Sequence, residues 1–259
     1  MSKNPIGIFD SGVGGTSIFK EIHALLPYES IIYLADSKNA PYGNKSQQDI
    51  LDLSIKNTEY LLSKKCKIIV VACNTATTNA IDYLRETYDL PFIGIEPAIK
   101  PAALNTRTRA VGILATKGTL SSQLFHKTSD LYANGIQVVE QVGEGIVPLI
   151  ESGQLHSEEM KALLEAYLKP MLDANIDYLV LGCTHYPYLI PILKDLLPKE
   201  VKIIDSGLAV AKQTQAILSS KGILNSDKRK PSIKLYSNGN LEVMDAILNN
   251  AFETSYLEF

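Results

Sequence analysis

Short apolar runs alternate along this chain with longer segments in which apolar residues recur at helical spacing. The apolar runs are rich in β-branched residues and predict strands at residues 6–9, 31–34, 68–72, 92–95, 111–114, 137–140, 178–181 and 201–204. The segments between them predict amphipathic helices, the clearest at residues 46–63, 76–87 and 157–172. Because strands that alternate with helices form βαβ units, the pattern predicts an α/β fold with mainly parallel sheets.

Some of these strands are apolar throughout, such as IIVVA at residues 68–72 and YLVL at residues 178–181. That pattern is typical of strands that helices cover on both faces. In open parallel sheets, ligands bind beyond the carboxyl ends of the strands. The residues that directly follow the predicted strands are therefore the candidates for a functional site.

The pattern also repeats faintly between the two halves of the chain. In the first half, strands are followed by DSG at residues 10–12 and by CNT at residues 73–75. In the second half, strands are followed by ATKGT at residues 115–119 and by CTH at residues 183–185. Because two of the three cysteines hold matching positions, the repeat predicts two similar α/β units.

Composition and charge exclude several classes of protein. The 259 residues are 46% hydrophobic and carry a net charge of −3, without a long basic run, so nucleic acid is not an expected partner. No stretch approaches the roughly 20 apolar residues that a membrane helix needs. Residues 1–5 lack the apolar region of a signal peptide, so we expect a cytoplasmic protein with no membrane partner.

The three cysteines differ in their context. They cannot all pair, and none lies at zinc-ligand spacing, so neither a disulfide framework nor a metal site is predicted. Cys66 lies in a lysine-rich lead-in to a strand, where a small buried side chain is the simplest interpretation. Cys73 and Cys183 each follow an apolar strand and precede a predicted helix, whose dipole would lower the pKa of the thiol. These two are predicted to be reactive.

Two further ionisable residues stand at strand ends. His185 follows Cys183 by two residues, which favours a role as its proton partner over that of a structural histidine. Asp10 ends an apolar strand, where a carboxylate can act in a site or only cap a helix. The glycine-rich DSGVGGT at residues 10–16 fits neither common nucleotide motif, and it predicts a loop whose backbone can approach a small anion.

Several segments, taken together and in order, resemble the glutamate racemase family. They are GIFDSGVGG at residues 7–15, PYG at 41–43, VACNTA at 71–76 and LGCTHYP at 181–187, with VPLIE at 147–151 as a weaker match. The two cysteine segments and the first loop form a specific set, whereas the chain after about residue 222 resembles the family only loosely.

This resemblance implies a cofactor-independent enzyme that interconverts L- and D-glutamate and supplies D-glutamate for peptidoglycan. It implies two pseudosymmetric α/β domains with the active site in the cleft between them, the first formed by residues 1–97 and 207–259 and the second by residues 98–206. A homodimer is also expected from the family.

The resemblance further implies roles for individual residues. Cys73 and Cys183 would be the acid/base pair, with Cys73 deprotonating D-glutamate and Cys183 deprotonating L-glutamate, and Asp10 and His185 would assist them. The residues that would hold the substrate are Asp10, Ser11, Tyr42, Gly43, Asn74, Thr75, Thr116, Thr184 and His185. Glu151 would be a supporting carboxylate near His185.

Three alternatives stay open from the sequence. The chain could be an aspartate racemase or another thiol-dependent member of the superfamily, since one methylene group separates the two substrates. It could be a module that binds small anions, with structural cysteines. Cys183 and His185 could also form the nucleophilic pair of a hydrolase, in which case Cys73 is dispensable.

Overall fold

The strands of the chain form two parallel sheets, which this computed structural model describes for residues 3–259. Met1 and Ser2, part of the N-terminal segment considered above, lie outside the described residues. The strands are β1 (Ile6–Asp10), β2 (Ile31–Ala35), β3 (Ile68–Val71), β4 (Phe92–Gly94), β5 (Ala110–Ala115), β6 (Gln137–Val142), β7 (Tyr178–Gly182), β8 (Lys202–Ile204), β9 (Ile233–Ser237) and β10 (Thr254–Tyr256).

Helices connect these strands. They are α1 (Thr16–Leu25), α2 (Gln47–Ser63), α3 (Asn74–Thr87), α4 (Ile99–Asn105), α5 (Lys117–Leu120), α6 (Gln123–Tyr132), α7 (Ile146–Glu151), α8 (Glu158–Asp173), α9 (Ile190–Leu196), α10 (Gly207–Ser220) and α11 (Leu241–Ile247). Within the described residues, no helix is long and apolar enough to cross a membrane.

The two sheets share one strand order. The first sheet runs β10-β9-β2-β1-β3-β4 and the second runs β6-β5-β7-β8. The second order equals the β2-β1-β3-β4 part of the first when each strand number is raised by four. The internal repeat of the sequence therefore corresponds to a repeated sheet topology, and the predicted α/β fold with two pseudosymmetric parallel units is confirmed.

All the predicted strands are present, each within two residues of its predicted ends. The three clearest helices are also present, and Ser46 and Ser157 cap α2 and α8 instead of beginning them. The strands that the sequence pattern missed are β9 and β10. In β9 the buried positions are separated by half-buried and exposed ones, and β10 is a short, largely exposed strand at the sheet edge. Neither strand therefore forms a continuous apolar run.

Alternating side chains bury both faces of the first sheet. Ile8 and Val70 point into one apolar core, while Phe9 and Val71 point into another. The first of these cores continues into the second sheet, where it includes Leu114. This continuity means that the two sheets share packing and are not joined by the connecting chain alone.

The predicted domain limits near residues 98 and 207 stay a prediction. Strands β1 to β4 and the two late strands β9 and β10 belong to the first sheet, and strands β5 to β8 belong to the second. The segment after about residue 222, which resembles the family only loosely, thus adds two strands to the first sheet. Strand β9 pairs with β2, and β10 pairs with β9.

A buried ion pair holds the amino end of the first sheet. The Lys67 Nζ atom lies 2.6 Å from Glu29 Oε2, and both side chains are only 2% exposed. Glu29 Oε1 also accepts a hydrogen bond of 2.8 Å from the Asn225 N–H, and Lys67 donates to the Ile223 carbonyl. This pair therefore ties β3 to the chain that leads into β9.

We predict that Glu29→Gln lowers the free energy of unfolding by about 3 kcal/mol, because it removes the carboxylate charge that faces a buried ammonium. Urea unfolding followed by circular dichroism would measure this change. In the matched control Asp173→Asn, which breaks the exposed pair with Lys169, the change should stay below about 0.5 kcal/mol. Equal effects of the two variants would contradict the prediction.

Candidate active site

The carboxyl ends of both sheets meet at one small cavity. Asp10 ends β1 and Cys73 follows β3 in the first sheet, while Thr116 follows β5 and Cys183 follows β7 in the second. The residues that line the cavity are Ser11, Pro41, Tyr42, Gly43, Cys73, Asn74, Thr75, Thr116, Val147, Cys183, Thr184 and His185. Each sheet therefore contributes one thiol to the same cavity.

Cys73 caps the N-terminus of α3. Its Sγ atom accepts a hydrogen bond of 3.4 Å from the Ala76 N–H and lies 3.6 Å from Ser11 Oγ, to which it donates. Burial raises the pKa of this thiol, the nearby Asp10 carboxylate raises it further, and the Ala76 N–H lowers it only in part. The lowered pKa expected from the helix position is therefore wrong for Cys73, because desolvation outweighs the helix terminus.

Asp10 is fully buried beside the glycine-rich loop. Its Oδ2 atom accepts a hydrogen bond of 2.7 Å from the Gly15 N–H, and Thr184 Oγ1 donates to Oδ1 over 3.3 Å. Burial raises the pKa of Asp10 to about 6, although His185 and the Gly15 N–H act in the opposite direction. The carboxylate thus joins a first-sheet strand to a residue that follows β7.

Cys183 belongs to a chain of three polar side chains. Its Sγ atom lies 3.7 Å from His185 Nδ1, and His185 Nε2 lies 2.5 Å from Glu151 Oε1 at the end of α7. Burial lowers the pKa of His185, but the hydrogen bonds with Cys183 and Glu151 outweigh it and hold this pKa well above its ordinary value. Cys183 and Glu151 therefore both favour the protonated imidazole of His185 over the neutral one.

The sequence pattern predicts an α-helix directly after Cys183, and this prediction is wrong. The chain forms a short 3₁₀ turn over Tyr186–Leu189, and α9 begins only at Ile190. Proline occurs in the first turn of each segment, at Pro187 and Pro191, where its missing N–H is tolerated. Cys183 therefore lacks the capping position that Cys73 has.

The glycine-rich loop approaches anions, but they are carboxylates of the protein itself. The Val13 N–H donates to Glu151 Oε1 over 2.7 Å, as the Gly15 N–H does to Asp10. The Gly14 N–H lies 3.2 Å from His185 Nε2, whose own proton is directed at Glu151 when the imidazole is protonated. A Cβ atom at Gly14 would overlap the His185 ring, so the close approach requires glycine there.

Hydroxyl groups gather on the opposite side of the cavity. Thr75 Oγ1 lies 2.8 Å from Thr116 Oγ1 and 3.4 Å from Thr119 Oγ1, which lies 3.0 Å from Thr116 Oγ1. Thr75 is the second residue of α3 in the first unit, whereas Thr116 and Thr119 belong to the second. Asn74 is 3% exposed, and neither polar atom of its side chain has a hydrogen-bond partner among the described residues. Of these residues, Asn74, Thr75 and Thr116 line the cavity and can bind a polar ligand, whereas Thr119 lies behind them.

Tyr42 and Gly43 form another wall of the cavity. The Tyr42 hydroxyl donates to Asp36 Oδ2 over 2.5 Å and accepts from Asn57 Nδ2, so it is directed away from the two thiols and into the first unit. Gly43 packs closely against Thr116, since a Cβ atom added there would lie 3.0 Å from Thr116 Cβ. The wall is thus backbone and aromatic ring, without a free hydroxyl.

The cavity is nearly closed. The space between its lining residues is about 10 Å³, close to what one water molecule requires. A wider cleft of about 560 Å³ adjoins it and shares Pro41, Gly43, Thr116 and Val147. A ligand the size of an amino acid therefore fits the cavity only when its walls move apart, and the adjoining cleft offers a route of entry.

Every site residue that the sequence predicts lies at or beside this cavity. Glu151 contacts it through His185, and Asp10 through Thr184. Sequence reasoning missed Thr119, Val147 and Asp36. Each of them had a signal that could have been used. Thr119 lies one turn after Thr116 and carries the same side chain, Val147 lies in the VPLIE segment quoted above, and Asp36 directly follows β2 at the ligand edge of the sheet.

The fold and the site define a class of protein. Two buried thiols from two related units face one polar cavity, and the described residues contain no cluster of three or more side chains arranged to hold a metal ion. Paired thiols of this kind are suited to acid/base chemistry on a small polar substrate.

Comparisons with known proteins identify the family. A profile of the Asp/Glu/hydantoin racemase family matches residues 6–214. The glutamate racemase of Herpetosiphon aurantiacus is 46% identical over 239 residues, which are 92% of this chain and 94% of that protein.

Solved structures agree with this assignment. The crystal structure of a glutamate racemase isoform from Bacillus anthracis has a TM-score of 0.89 at 30% identity, covering 100% of this chain and 98% of that one. Escherichia coli glutamate racemase, solved with L-glutamate and the activator UDP-MurNAc-ala, has a TM-score of 0.86 at 35% identity, covering 98% and 97%. The chain belongs to the Asp/Glu/hydantoin racemase family and, within it, to the glutamate racemases. It is an isomerase, and a module that only binds anions is excluded.

We predict that NMR of the imidazole nitrogens finds His185 still protonated above the pH at which an ordinary histidine, with a pKa of about 6.5, loses its proton. Glu151→Gln should lower the pH at which His185 titrates, because it removes a charge and a charge-assisted hydrogen bond from Nε2. Glu144→Gln, an exposed carboxylate of the adjoining cleft, is the matched control and should leave the titration unchanged. A neutral His185 in the unaltered protein at about pH 7 would contradict this picture.

Proposed function

We propose that this racemase interconverts L- and D-glutamate by a two-thiol mechanism without a cofactor, and that its D-glutamate supplies peptidoglycan. One observation carries the mechanism: each of two related sheets contributes one cysteine to the same buried cavity. Racemisation removes the α-proton from one face of the substrate and returns a proton to the other. Two thiols that approach from different sheets can serve the two faces.

The proposed steps balance in protons. With L-glutamate bound, the Cys183 thiolate takes the α-proton and becomes a thiol. The Cys73 thiol then gives its proton to the opposite face of the carbanion, which yields D-glutamate and a Cys73 thiolate. Reaction of D-glutamate runs through the same steps in reverse, starting from the Cys73 thiolate.

His185 supports Cys183 as the base that acts on L-glutamate. Its protonated imidazole, 3.7 Å from Sγ, stabilises negative charge on the sulfur, and Glu151 holds the imidazole in that state. Because this charge lies in a buried site, solvent screens it little.

Asp10 supports the cycle through the substrate ammonium. Its negative charge raises the pKa of Cys73 in the free protein. A bound ammonium beside Asp10 would neutralise that charge and make the Cys73 thiolate easier to form. Asp10 thus couples ionisation of Cys73 to the presence of substrate.

The polar groups around the thiols suit a dicarboxylate. The unpartnered amide of Asn74 and the hydroxyls of Ser11 and Thr184 lie nearest the cysteines and would hold the α-carboxylate and ammonium. The hydroxyl cluster of Thr75, Thr116 and Thr119 would hold the distal carboxylate, together with the backbone of Gly43. Tyr42 would contribute its ring to the wall and not its hydroxyl.

Aspartate is the alternative substrate, since it differs by one methylene group. The likeness to glutamate racemases over nearly the whole chain supports glutamate. Circular dichroism assays with each amino acid separate the two, and turnover of aspartate without glutamate would refute our choice. The homodimer that the family implies also remains a proposal, which analytical ultracentrifugation would test.

We predict that Cys73→Ala and Cys183→Ala each lower the rate of racemisation by about 1,000-fold or more, because one acid/base group is lost from one face. The rate is measured by circular dichroism, which follows the loss of the optical signal of one glutamate enantiomer over time while the protein is folded. Cys66→Ala is the matched control, since this buried thiol lies before β3 at the far end of the sheet, and it should keep full activity. Undiminished racemisation in Cys73→Ala or in Cys183→Ala would refute the two-thiol mechanism.

We also predict that kcat/KM falls below about pH 6 by about tenfold for each pH unit, as Asp10 becomes protonated and can no longer pair with the ammonium. The sign follows from the raised pKa of Asp10, which is ionised above about pH 6 and neutral below. Since two enantiomers have equal free energy in water, the fall must appear for both L- and D-glutamate. Asp10→Asn should show a lower activity without this acid limb, and an unchanged limb in that variant would refute the assignment.

A further inference from the structure

A buried polar network lies behind the cavity wall that Tyr42 and Gly43 form. Asp36, which directly follows β2, is 2% exposed, and its carboxylate accepts three hydrogen bonds. The donors are the Tyr42 hydroxyl over 2.5 Å, Asn238 Nδ2 over 2.6 Å and Asn39 Nδ2 over 2.8 Å. None of these contacts reaches the two thiols, so the mechanism above does not use Asp36.

Asn238 brings the C-terminal part of the chain into this network. It follows β9, is 4% exposed, and its side chain bonds the loop after β2 from both of its polar ends. Nδ2 donates to Asp36, and Oδ1 accepts from the Lys38 N–H over 2.9 Å. The Asn238 N–H also donates to the Ala35 carbonyl. The loop is thus fixed to a strand that the second sheet does not have.

The other end of the network reaches the catalytic cavity. Tyr42 shares one buried cluster with Cys73, and both line the cavity. Gly43, the next residue, packs against Thr116. It also packs against Gly118, since a Cβ atom added to Gly118 would lie 3.3 Å from the Gly43 Cα atom. The backbone at residues 41–43 therefore lies between Cys73 and the second unit. A small displacement of this backbone would change its packing against Cys73 and against Thr116.

We propose that Asp36 is a positioning residue for the reaction: through Tyr42 it holds the wall at residues 41–43 against Cys73 and Thr116, and through Asn238 it anchors that wall to β9. This inference rests on the proposed function for its kinetic consequences. It assigns a role to the late strands, which the two-thiol chemistry leaves without one.

The chain contains a matched control for this network. Glu29 precedes β2 as Asp36 follows it, both are 2% exposed, and each carboxylate binds an asparagine of the C-terminal part, Asn225 or Asn238. Glu29 lies at the amino end of the sheet, away from the cavity. Loss of its charge should reduce stability as loss of the Asp36 charge does, without moving the wall.

The test compares Asp36→Asn and Asn238→Ala with Glu29→Gln. Asp36→Asn keeps the shape of the side chain but leaves one acceptor oxygen and no charge, so the charge-assisted hydrogen bond from the Tyr42 hydroxyl is lost. We expect each of the first two variants to lower kcat by about 10- to 100-fold, because the substrate Cα no longer lies in line with both sulfurs. Glu29→Gln should keep kcat and KM unchanged at a temperature where circular dichroism shows all three proteins folded.

A second readout does not depend on turnover. Alkylation of Cys73 by iodoacetamide, followed by peptide mass spectrometry, should be faster in Asp36→Asn and Asn238→Ala, since the loosened wall uncovers a thiol that is 4% exposed. Cys66, buried at the other end of the sheet, provides an internal reference in the same digest. Glu29→Gln should leave the rate at Cys73 unchanged, and for this variant the Cys73 rate itself is compared because Cys66 adjoins Lys67, the partner of Glu29.

A double-mutant cycle that combines Tyr42→Phe with Asn238→Ala tests whether these two residues act through Asp36. If both act through the Asp36 carboxylate, the double variant loses less kcat than the product of the two single losses. Multiplicative losses would mean that Tyr42 and Asn238 act independently and would overturn the proposal. If Asp36→Asn does not fold, this cycle and the alkylation of Asn238→Ala still decide the question.

Two further results would also overturn it. One is an unchanged kcat and Cys73 alkylation rate in folded Asp36→Asn and Asn238→Ala. The other is a loss in Glu29→Gln as large as in Asp36→Asn, which would show that any loss of stability has the same effect. If the unaltered protein does not racemise glutamate, the proposed function fails, while the alkylation rates continue to test the inference.

Discussion

The placement of the buried Asp10 carboxylate, the buried His185 imidazole and the partly buried Glu151 carboxylate between the two sheets is the constraint on which the site depends. Charged groups out of water are costly unless polar partners surround them. Here the peptide N–H groups of Val13 and Gly15 donate to Glu151 and Asp10, and the Gly14 N–H lies against His185. A single loop of the first unit therefore makes it possible to bury ionisable groups of both units, and its glycines are required because side chains there would fill the same space.

The two thiols differ in their surroundings although they hold equivalent topological positions. Cys73 caps a helix and lies near the Asp10 carboxylate, whereas Cys183 follows its strand into a 3₁₀ turn and lies beside His185, whose pKa is held well above its ordinary value. An enzyme for two enantiomers does not need identical thiols, because the equilibrium constant between the enantiomers in water is one whatever the catalyst. It needs only that the sulfur ionised at the end of one turnover can exchange its proton before the next.

The sequence predicted the fold through strands and helices whose patterns are strong on their own. Apolar runs such as residues 68–71 and capped helices such as α2 appear within two residues of their predicted ends. Strands β9 and β10 could not be found in this way, since edge position and half-burial leave no continuous apolar run. The cysteines and His185 were accessible because strand ends mark the ligand edge of parallel sheets. By contrast, the raised pKa of Cys73 depends on burial and on Asp10, which are far apart in the chain and meet only in the fold.

The repeated topology explains why the halves of the site nevertheless do different work. The segments after β2 and β6 occupy equivalent places, yet the first leads to the wall of Tyr42 and Gly43 and the second leads into α7, which carries Val147 and Glu151. Beside β2 the first sheet continues into β9, while β6 is a half-exposed edge. The wall at residues 41–43 enters a single 3₁₀ turn over Tyr42–Asn44 and is tied to the added strand through Asp36 and Asn238. Glu151 is held instead by its helix and by the Val13 N–H. The extra strands β9 and β10 thus support the wall of the first unit, whereas α7 supports the corresponding segment of the second.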